Sequence, residues 1–267
     1  MNSKKNIVHL VQASYAYGST YSLTNINLSI TPGELVALIG PNGSGKTTLI
    51  KLLSGYFKPT TGEVSLDGLP LSQWSQKSLS LTVAVVPQQV TVPFAFTGRQ
   101  IALLGRLPHM GLSSATVADY LAVEDALELV GATDLAERTY NSLSSGERQK
   151  IIIAQALARN ARLLLLDEPI SHLDMKWQAQ TLQHLSRIHA SGSTIVTAIH
   201  DLNVAAIYFP RIVLISKGRI VADGIPRTVL TKQLLEEVYE TEVTVHYPFD
   251  NECPQISLMP THVSIKP

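Results

Sequence analysis

The sequence predicts an α/β fold with a buried parallel sheet and a phosphate-binding loop at the end of one strand. Three observations carry this. ELVALI (residues 34–39) and RLLLLDEP (162–169) contain apolar runs without alternation, the pattern of strands covered on both faces. GPNGSGKTT (40–48) follows the first run directly and precedes a stretch with helical spacing. Strand–helix alternation returns from Leu163 to about Val221.

Taken in order, Ile7 to Ile39 holds short runs rich in Val, Ile, Thr and Tyr. They read as a small β region, with a turn at Thr31-Pro32-Gly33. A helix is expected from about Thr47 to Leu53, ending on Gly55. GEVSLDGLPL predicts a hairpin near Asp67-Gly68. The texture changes at Gln88, and helical patterns dominate from Thr97 to Arg159. Thr97 with Gln100, and Thr116 with Asp119, have the spacing of capping boxes. DALELVGA stops on Gly131, and GERQKIIIAQALAR forms a further helix with Ser144 and Gly146 at its start. RLLLLDEP and STIVTAIHD are strands, the second expected to end at His200. The last stretch, 242–267, has four prolines and little periodicity; packing on the core and a dimer contact both stay open for it.

The loop motif carries specific chemistry. Gly40, Gly45, Lys46 and Thr47 fit G-x-x-x-x-G-K-[ST]. Glycines at 40, 43 and 45 let the backbone aim N–H groups at one point, as a polyphosphate requires. Lys46 supplies a point charge for the outer phosphates, the Thr47 hydroxyl suits Mg²⁺, and the following helix adds its positive end. Asp167 and Glu168 come where a buried strand ends, the place where open α/β sheets bind ligands. Asp167 is placed to hold Mg²⁺, directly or through water, and Glu168 to polarise an attacking water. Pro169 then stops the strand. His200, at another strand end, is a candidate γ-phosphate contact.

Composition narrows the class. The 267 residues suffice for one large α/β domain or two small ones. A formal net charge of zero gives no hint of nucleic-acid binding. A single cysteine, Cys253, excludes an internal disulfide, suits a reducing compartment and reads as an inert tail thiol. No run approaches the ~18 apolar residues of a membrane span. MNSKKNIVHLVQ lacks the apolar core of a signal peptide, so a cytosolic chain is expected.

LSSGERQ (Leu143–Gln149) resembles the signature of ATP-binding-cassette (ABC) ATPases, and the order of the other motifs is similar over Ile7 to Val243. The resemblance implies a RecA-like parallel-sheet core, a small antiparallel β subdomain and an inserted α-helical subdomain. It divides a single domain, 1–267, into core and β subdomain (1–87 and 161–241), helical subdomain (88–160) and C-terminal extension (242–267). It implies that ATP and Mg²⁺ bind at Gly40, Pro41, Asn42, Gly43, Ser44, Gly45, Lys46, Thr47 and Thr48. Tyr17 would stack on adenine, Tyr15 being the alternative ring. Gln88 would reach Mg²⁺ and the attacking water and couple to a membrane partner. Glu168 would be the base, His200 the switch histidine, and Ser171–Asp174 a loop crossing to the opposite subunit. Ser144, Ser145, Gly146 and Glu147 would contact nucleotide in trans, in a head-to-tail homodimer that closes on ATP and opens on hydrolysis. Departures are small: Ser145 stands where Gly is also common, and Ile170 and His172 fall at variable positions.

TGRQIALLGRLPHMG (97–111), above all GR-x-PH-x-G at Gly105–Gly111, resembles importer ATPases for iron-siderophores, haem and vitamin B12. That implies permease subunits, an extracytoplasmic binding protein and a peripheral position on the cytoplasmic face of the inner membrane. A molybdate or tungstate importer, or a soluble ABC ATPase in assembly or repair, are the alternatives. Phe94 and Phe96 would either line a docking groove or pack the helical arm on the core.

Overall fold

A computed structural model describes residues 6–110, 113–171, 173–248 and 253–259. The chain opens with β1 (Val8–Tyr17) and β2 (Thr20–Ile30), paired antiparallel with Val8 opposite Ile30. The expected turn follows, its Glu34 N–H donating to the Thr31 carbonyl at 3.3 Å. β3 (Leu35–Ile39) then runs directly into the phosphate loop and α1 (Lys46–Leu53). β4 (Thr61–Leu66) and β5 (Leu69–Pro70) form the expected hairpin. Asp67 and Gly68 close it with φ of 51° and 78°, the two positive angles of a type I′ turn. After α2 (Gln76–Thr82), β6 (Val83–Val86) is the last strand before the helical arm.

The arm comprises α3 (Gly98–Leu103), α4 (Leu107–Met110), α5 (Val117–Leu129) and α6 (Ser145–Ala158). Both expected capping boxes form. Thr97 accepts from the Gln100 N–H at 3.2 Å and its own N–H donates to Gln100 Oε1 at 2.9 Å. Thr116 N–H donates to Asp119 Oδ2 at 2.9 Å. Each cap satisfies amide groups that a free helix end would leave unpaired.

β7 (Leu163–Asp167), α7 (Met175–Ala190), β8 (Thr194–Ala198), α8 (Leu202–Tyr208) and β9 (Arg211–Ser216) complete the α/β alternation. β10 (Arg219–Gly224) turns back antiparallel on β9. α9 (Pro226–Val229) and α10 (Lys232–Tyr239) follow, then β11 (Val243–His246) and β12 (Gln255–Leu258). β8 closes at Ala198, two residues short of the expected end at His200; Ile199 N–H still donates to the Leu38 carbonyl at 3.0 Å. The C-terminal stretch, aperiodic in sequence, contains the antiparallel hairpin β11–β12. The Asn203 side chain pins it to α8, donating to the Ile256 carbonyl at 3.1 Å and accepting its N–H at 2.7 Å.

The main sheet has the order β10-β9-β3-β8-β7-β6, with β9, β3, β8, β7 and β6 parallel. β1, β2, β4 and β5 form a separate antiparallel sheet. The absence of alternation in β3 and β7 now has its reason. Leu35, Ala37, Ile39, Leu164 and Leu166 enter the core beneath the arm, α7 and α8. Val36, Leu38, Leu163 and Leu165 enter the core shared with α1 and the antiparallel sheet. Each fully buried leucine or isoleucine contributes about 1.5–3 kcal/mol, so both faces hold the strands in register. Since β3, β8, β7 and β6 are neighbours, the loops at their carboxyl ends come together at one sheet edge.

Candidate active site

The phosphate loop lies between β3 and α1. Gly40 has φ 146°, and a Cβ there would lie 2.0 Å from the Ile215 carbonyl oxygen, so only glycine fits. Lys46 is 5% exposed, and its Nζ donates to the Gly40 and Pro41 carbonyls at 2.7 and 3.0 Å. Burial lowers its pKa, against the raising effect of Glu168 and Asp167. The ammonium is thus held inside the loop with carboxylates nearby. The Ser44 Oγ is buried and has no hydrogen-bond partner among the described residues, and Thr48 bonds Ser22 across to β2 at 2.9 Å. Pro41 and Asn42 form the rim of the loop, and Gly43 and Gly45 take the positive φ values 75° and 112°.

Asp167, the last residue of β7, accepts from Thr47 Oγ1 at 3.1 Å and is 6% exposed. Burial raises its pKa, and the Thr47 hydrogen bond opposes this. A hydroxyl paired with a buried carboxylate is an all-oxygen donor set, which fits a hard cation such as Mg²⁺.

Glu168 leaves the strand with φ 55°, a left-handed value for a residue that carries a Cβ. Its N–H is fixed to the Ala198 carbonyl on β8 at 3.2 Å. Three side chains converge on its carboxylate. Gln88 Nε2 reaches it at 2.6 Å, Ser171 Oγ at 3.1 Å, and His200 Nε2 is the third partner. Residues 88, 168, 171 and 200 are scattered along the chain, and the strand order brings them together. The contact of Ser171 with Glu168 had no sequence signal; the loop motif alone does not say where its hydroxyl points. His172 lies outside the described residues.

Tyr17 is 49% exposed at the end of β1. It meets Tyr15 and Phe57 edge-on, with ring centres 5.0 and 5.5 Å away. Tyr15 stacks on Phe57 at 4.3 Å and 11°, which occupies one of its faces. Tyr17 is therefore the ring more available to a flat partner. Phe57, the third wall of this cluster, carries no sequence signal, since nothing local links it to Tyr15.

The signature segment caps α6. Ser144 Oγ accepts the Glu147 N–H at 3.3 Å, and Ser144 N–H donates to Glu147 Oε2 at 2.8 Å. Arg138 holds the other Glu147 oxygen at 2.8 Å, and these bonds lower the Glu147 pKa, the Ser144 amide foremost. The Glu147 carboxylate is thus committed to the cap. The exposed Ser144 and Ser145, and the start of α6, provide an anion-favouring helix end. Among the described residues no hydrogen bond joins this helix end to residues 40–48. A cavity of about 280 Å³ opens between Gln88, Ser145, Gln149 and Ser171.

The GR-x-PH-x-G stretch is structural in its described part; Gly111 lies outside it. Arg106 is buried, pairs with Asp119 at 2.9 Å, and donates to the Ala158 carbonyl at 2.8 Å. His109 Nε2 bonds the Arg159 carbonyl at 2.8 Å. Both side chains cap the C-terminal end of α6. Asp119 is lowered to about 2 by hydrogen bonds from Thr116, then by Arg106. Phe94 is exposed, and Phe96 packs against the core beneath it.

The sequence pattern of the ABC transporter family matches residues 23–171. The hemin import ATP-binding protein HmuV of Myxococcus xanthus is 38% identical over 235 residues, covering 85% of this chain and 88% of that one. A solved ABC transporter assigned to the metal-chelate type, in an inward-facing conformation, superposes with a TM-score of 0.84. Its identity is 27%, over 96% of this chain and 98% of that one. The dimeric cassette MJ0796 superposes with a TM-score of 0.72 at 28% identity, over 82% and 98%.

Proposed function

Because this chain belongs to the ABC transporter family, an ATPase by kinship and by fold, we propose that it powers import of a metal chelate, with haem the leading class of cargo. The observation that carries the ATPase reading is the convergence of Gln88, Ser171 and His200 on Glu168, one residue from the Thr47–Asp167 pair. The cargo class rests on relatives named for hemin import and on the metal-chelate-type structure.

In this reading the loop amides and Lys46 bind the phosphates of ATP, and Tyr17 stacks on the base. Thr47 and Asp167, with Gln88, would hold Mg²⁺, which when bound would neutralise phosphate charge. Glu168 takes a proton from the attacking water, and Gln88 and His200 fix its carboxylate in place. Ser144, Ser145 and Gly146 of a second copy present the helix end that completes the phosphate site, while Glu147 acts through its cap. Head-to-tail pairing of two copies supplies this, and the dimeric cassette relative supports it.

The chain is then a peripheral subunit on the cytoplasmic face of a membrane, working beneath permease subunits and an extracytoplasmic binding protein. No helix among the described residues is long and apolar enough to cross a membrane. Core and β subdomain span 1–87 and 161–241, the helical subdomain 88–160 and the extension 242–267. Phe94, Leu104, Leu107, Val117 and Leu121 leave apolar surface exposed on residues 88–160, which favours that arm as the permease contact.

The test is capture from native membranes with tagged Glu168→Gln protein, ATP and Mg²⁺, read by mass spectrometry. A polytopic permease in the eluate is the expected result. Soluble partners alone would overturn the importer reading.

A further inference from the structure

Gly146 and Trp177 meet where the first turns of α6 and α7 touch. A Cβ on Gly146 would lie 2.5 Å from Trp177 Cδ2, 2.6 Å from Cγ and 2.9 Å from Cδ1. The indole therefore lies directly on the backbone of the signature segment, and a glycine is what admits it. The backbone that carries the ring is fixed as well. Asp174 caps α7 by accepting the Trp177 backbone N–H at 2.9 Å, and Gln178 Nε2 reaches back to the Ile170 carbonyl at 3.5 Å. Lys150 of α6 stands 4.8 Å from the ring centre and Lys176 of α7 5.6 Å from it, both within cation–π range. Lys150 is itself tied to the Gly131 carbonyl at 3.0 Å. One aromatic plate thus joins two segments with separate tasks: residues 168–174, which bear Glu168 and Ser171, and the helix end that begins at Ser144.

We propose that Trp177 is a positioning residue: it sets the aim of the signature amides and makes them move with the loop that carries the catalytic base. The proposal rests on the reading above, in which the signature serves the ATP site of a second copy. Within one chain, Trp177 then links the base of one site to the signature of the other. An arrangement of this kind makes the two sites respond together, because displacing either segment shifts the plate between them.

The experiment compares Trp177→Ala and Trp177→Phe with the parent chain, in complex with its permease. It measures ATP affinity, kcat, the dependence of rate on ATP concentration, and the melting temperature. The alanine variant is expected to bind ATP as the parent does, because the phosphate loop and Tyr17 are untouched. Its kcat should fall about tenfold, with loss of cooperativity in ATP. The phenylalanine variant, which restores a ring over Gly146, should recover most of both. Parental kcat and cooperativity in Trp177→Ala would overturn the proposal. So would a fall in kcat that Trp177→Phe does not recover despite a parental melting temperature. A Ser144→Arg variant separates this from failure of the parent reading. If Ser144→Arg is inactive while Trp177→Ala is normal, only the role of Trp177 falls; if Ser144→Arg is fully active, the shared site falls with it.

The same residue offers a spectroscopic check. Trp74 and Trp177 are the two tryptophans of the chain. With Trp74→Phe in place, ATP should shift the Trp177 emission, and Lys46→Ala should abolish the shift. Emission that ignores ATP in a catalytically active chain would count against the link.

Discussion

Glu168 bears a Cβ yet occupies the left-handed region, a conformation that costs about 1–2 kcal/mol for such a residue. The fold meets that cost with the bond to Ala198 and with three side chains bonded to the carboxylate. Gln12, Asn160 and Lys217 hold similar angles, so it is the three side chains on the carboxylate, rather than the angle, that single out Glu168. Glu168→Gln should keep ATP binding and lose turnover on the order of a hundredfold or more, since the phosphate clamps remain while the base is gone. Single-turnover kinetics beside a binding titration check this, and a fully active variant would remove Glu168 from the role. Lys46→Ala removes a charge already desolvated inside the loop, so nucleotide affinity should drop; an unchanged titration would contradict it. Tyr17→Ala should cost about 1 kcal/mol of stacking. A larger loss from Tyr15→Ala would mean the other ring meets the base. At this scale the sequence was informative where chemistry demands fixed spacing, as in Gly40 to Thr48. It was silent on Phe57, whose partners are set by tertiary packing, and on Ser171, whose hydroxyl is aimed at Glu168 by the local turn that follows β7.

The elements that were easiest to foresee are those fixed by local bonds. The capping boxes at Thr97 and Thr116 and the turn at Asp67-Gly68 involve residues a few positions apart, and all formed as expected. The β11–β12 hairpin depends instead on Asn203, some fifty residues away, and no local pattern announces it. The GR-x-PH-x-G stretch marked the importer resemblance, but the structure gives its described part a mechanical task. Arg106 and His109 hold the C-terminal end of the helix whose other end is the signature. The bonds to Asp119, those from Thr116 foremost and then that from Arg106, also make a pH prediction. Asp119 is depressed from 3.8 to about 2, so its stabilising contribution is complete above pH 3.8. It is lost as pH falls through about 2. Asp119→Asn should flatten the stability profile across that window, as measured by denaturant midpoints at stepped pH. An unchanged acid slope would show that Asp119 does not titrate as described.

For the molecule as a whole, the sheet order explains why dispersed motifs meet at one edge: β3, β8, β7 and β6 deliver their carboxyl-end loops side by side. The signature stands on the arm, capped at both ends and unbonded to the phosphate loop of its own chain among the described residues. Half a site in each of two places is what pairing between copies would complete, and this part was legible only through family resemblance. The most direct test mixes two inactive chains, one with Lys46→Ala and one with Ser144→Arg. In the mixed dimer one site combines an intact phosphate loop with an intact signature, while the other carries both lesions. The account predicts ATPase activity in the mixture well above that of either variant alone. A mixture as inactive as its components, with dimers present, would contradict a site shared between two copies.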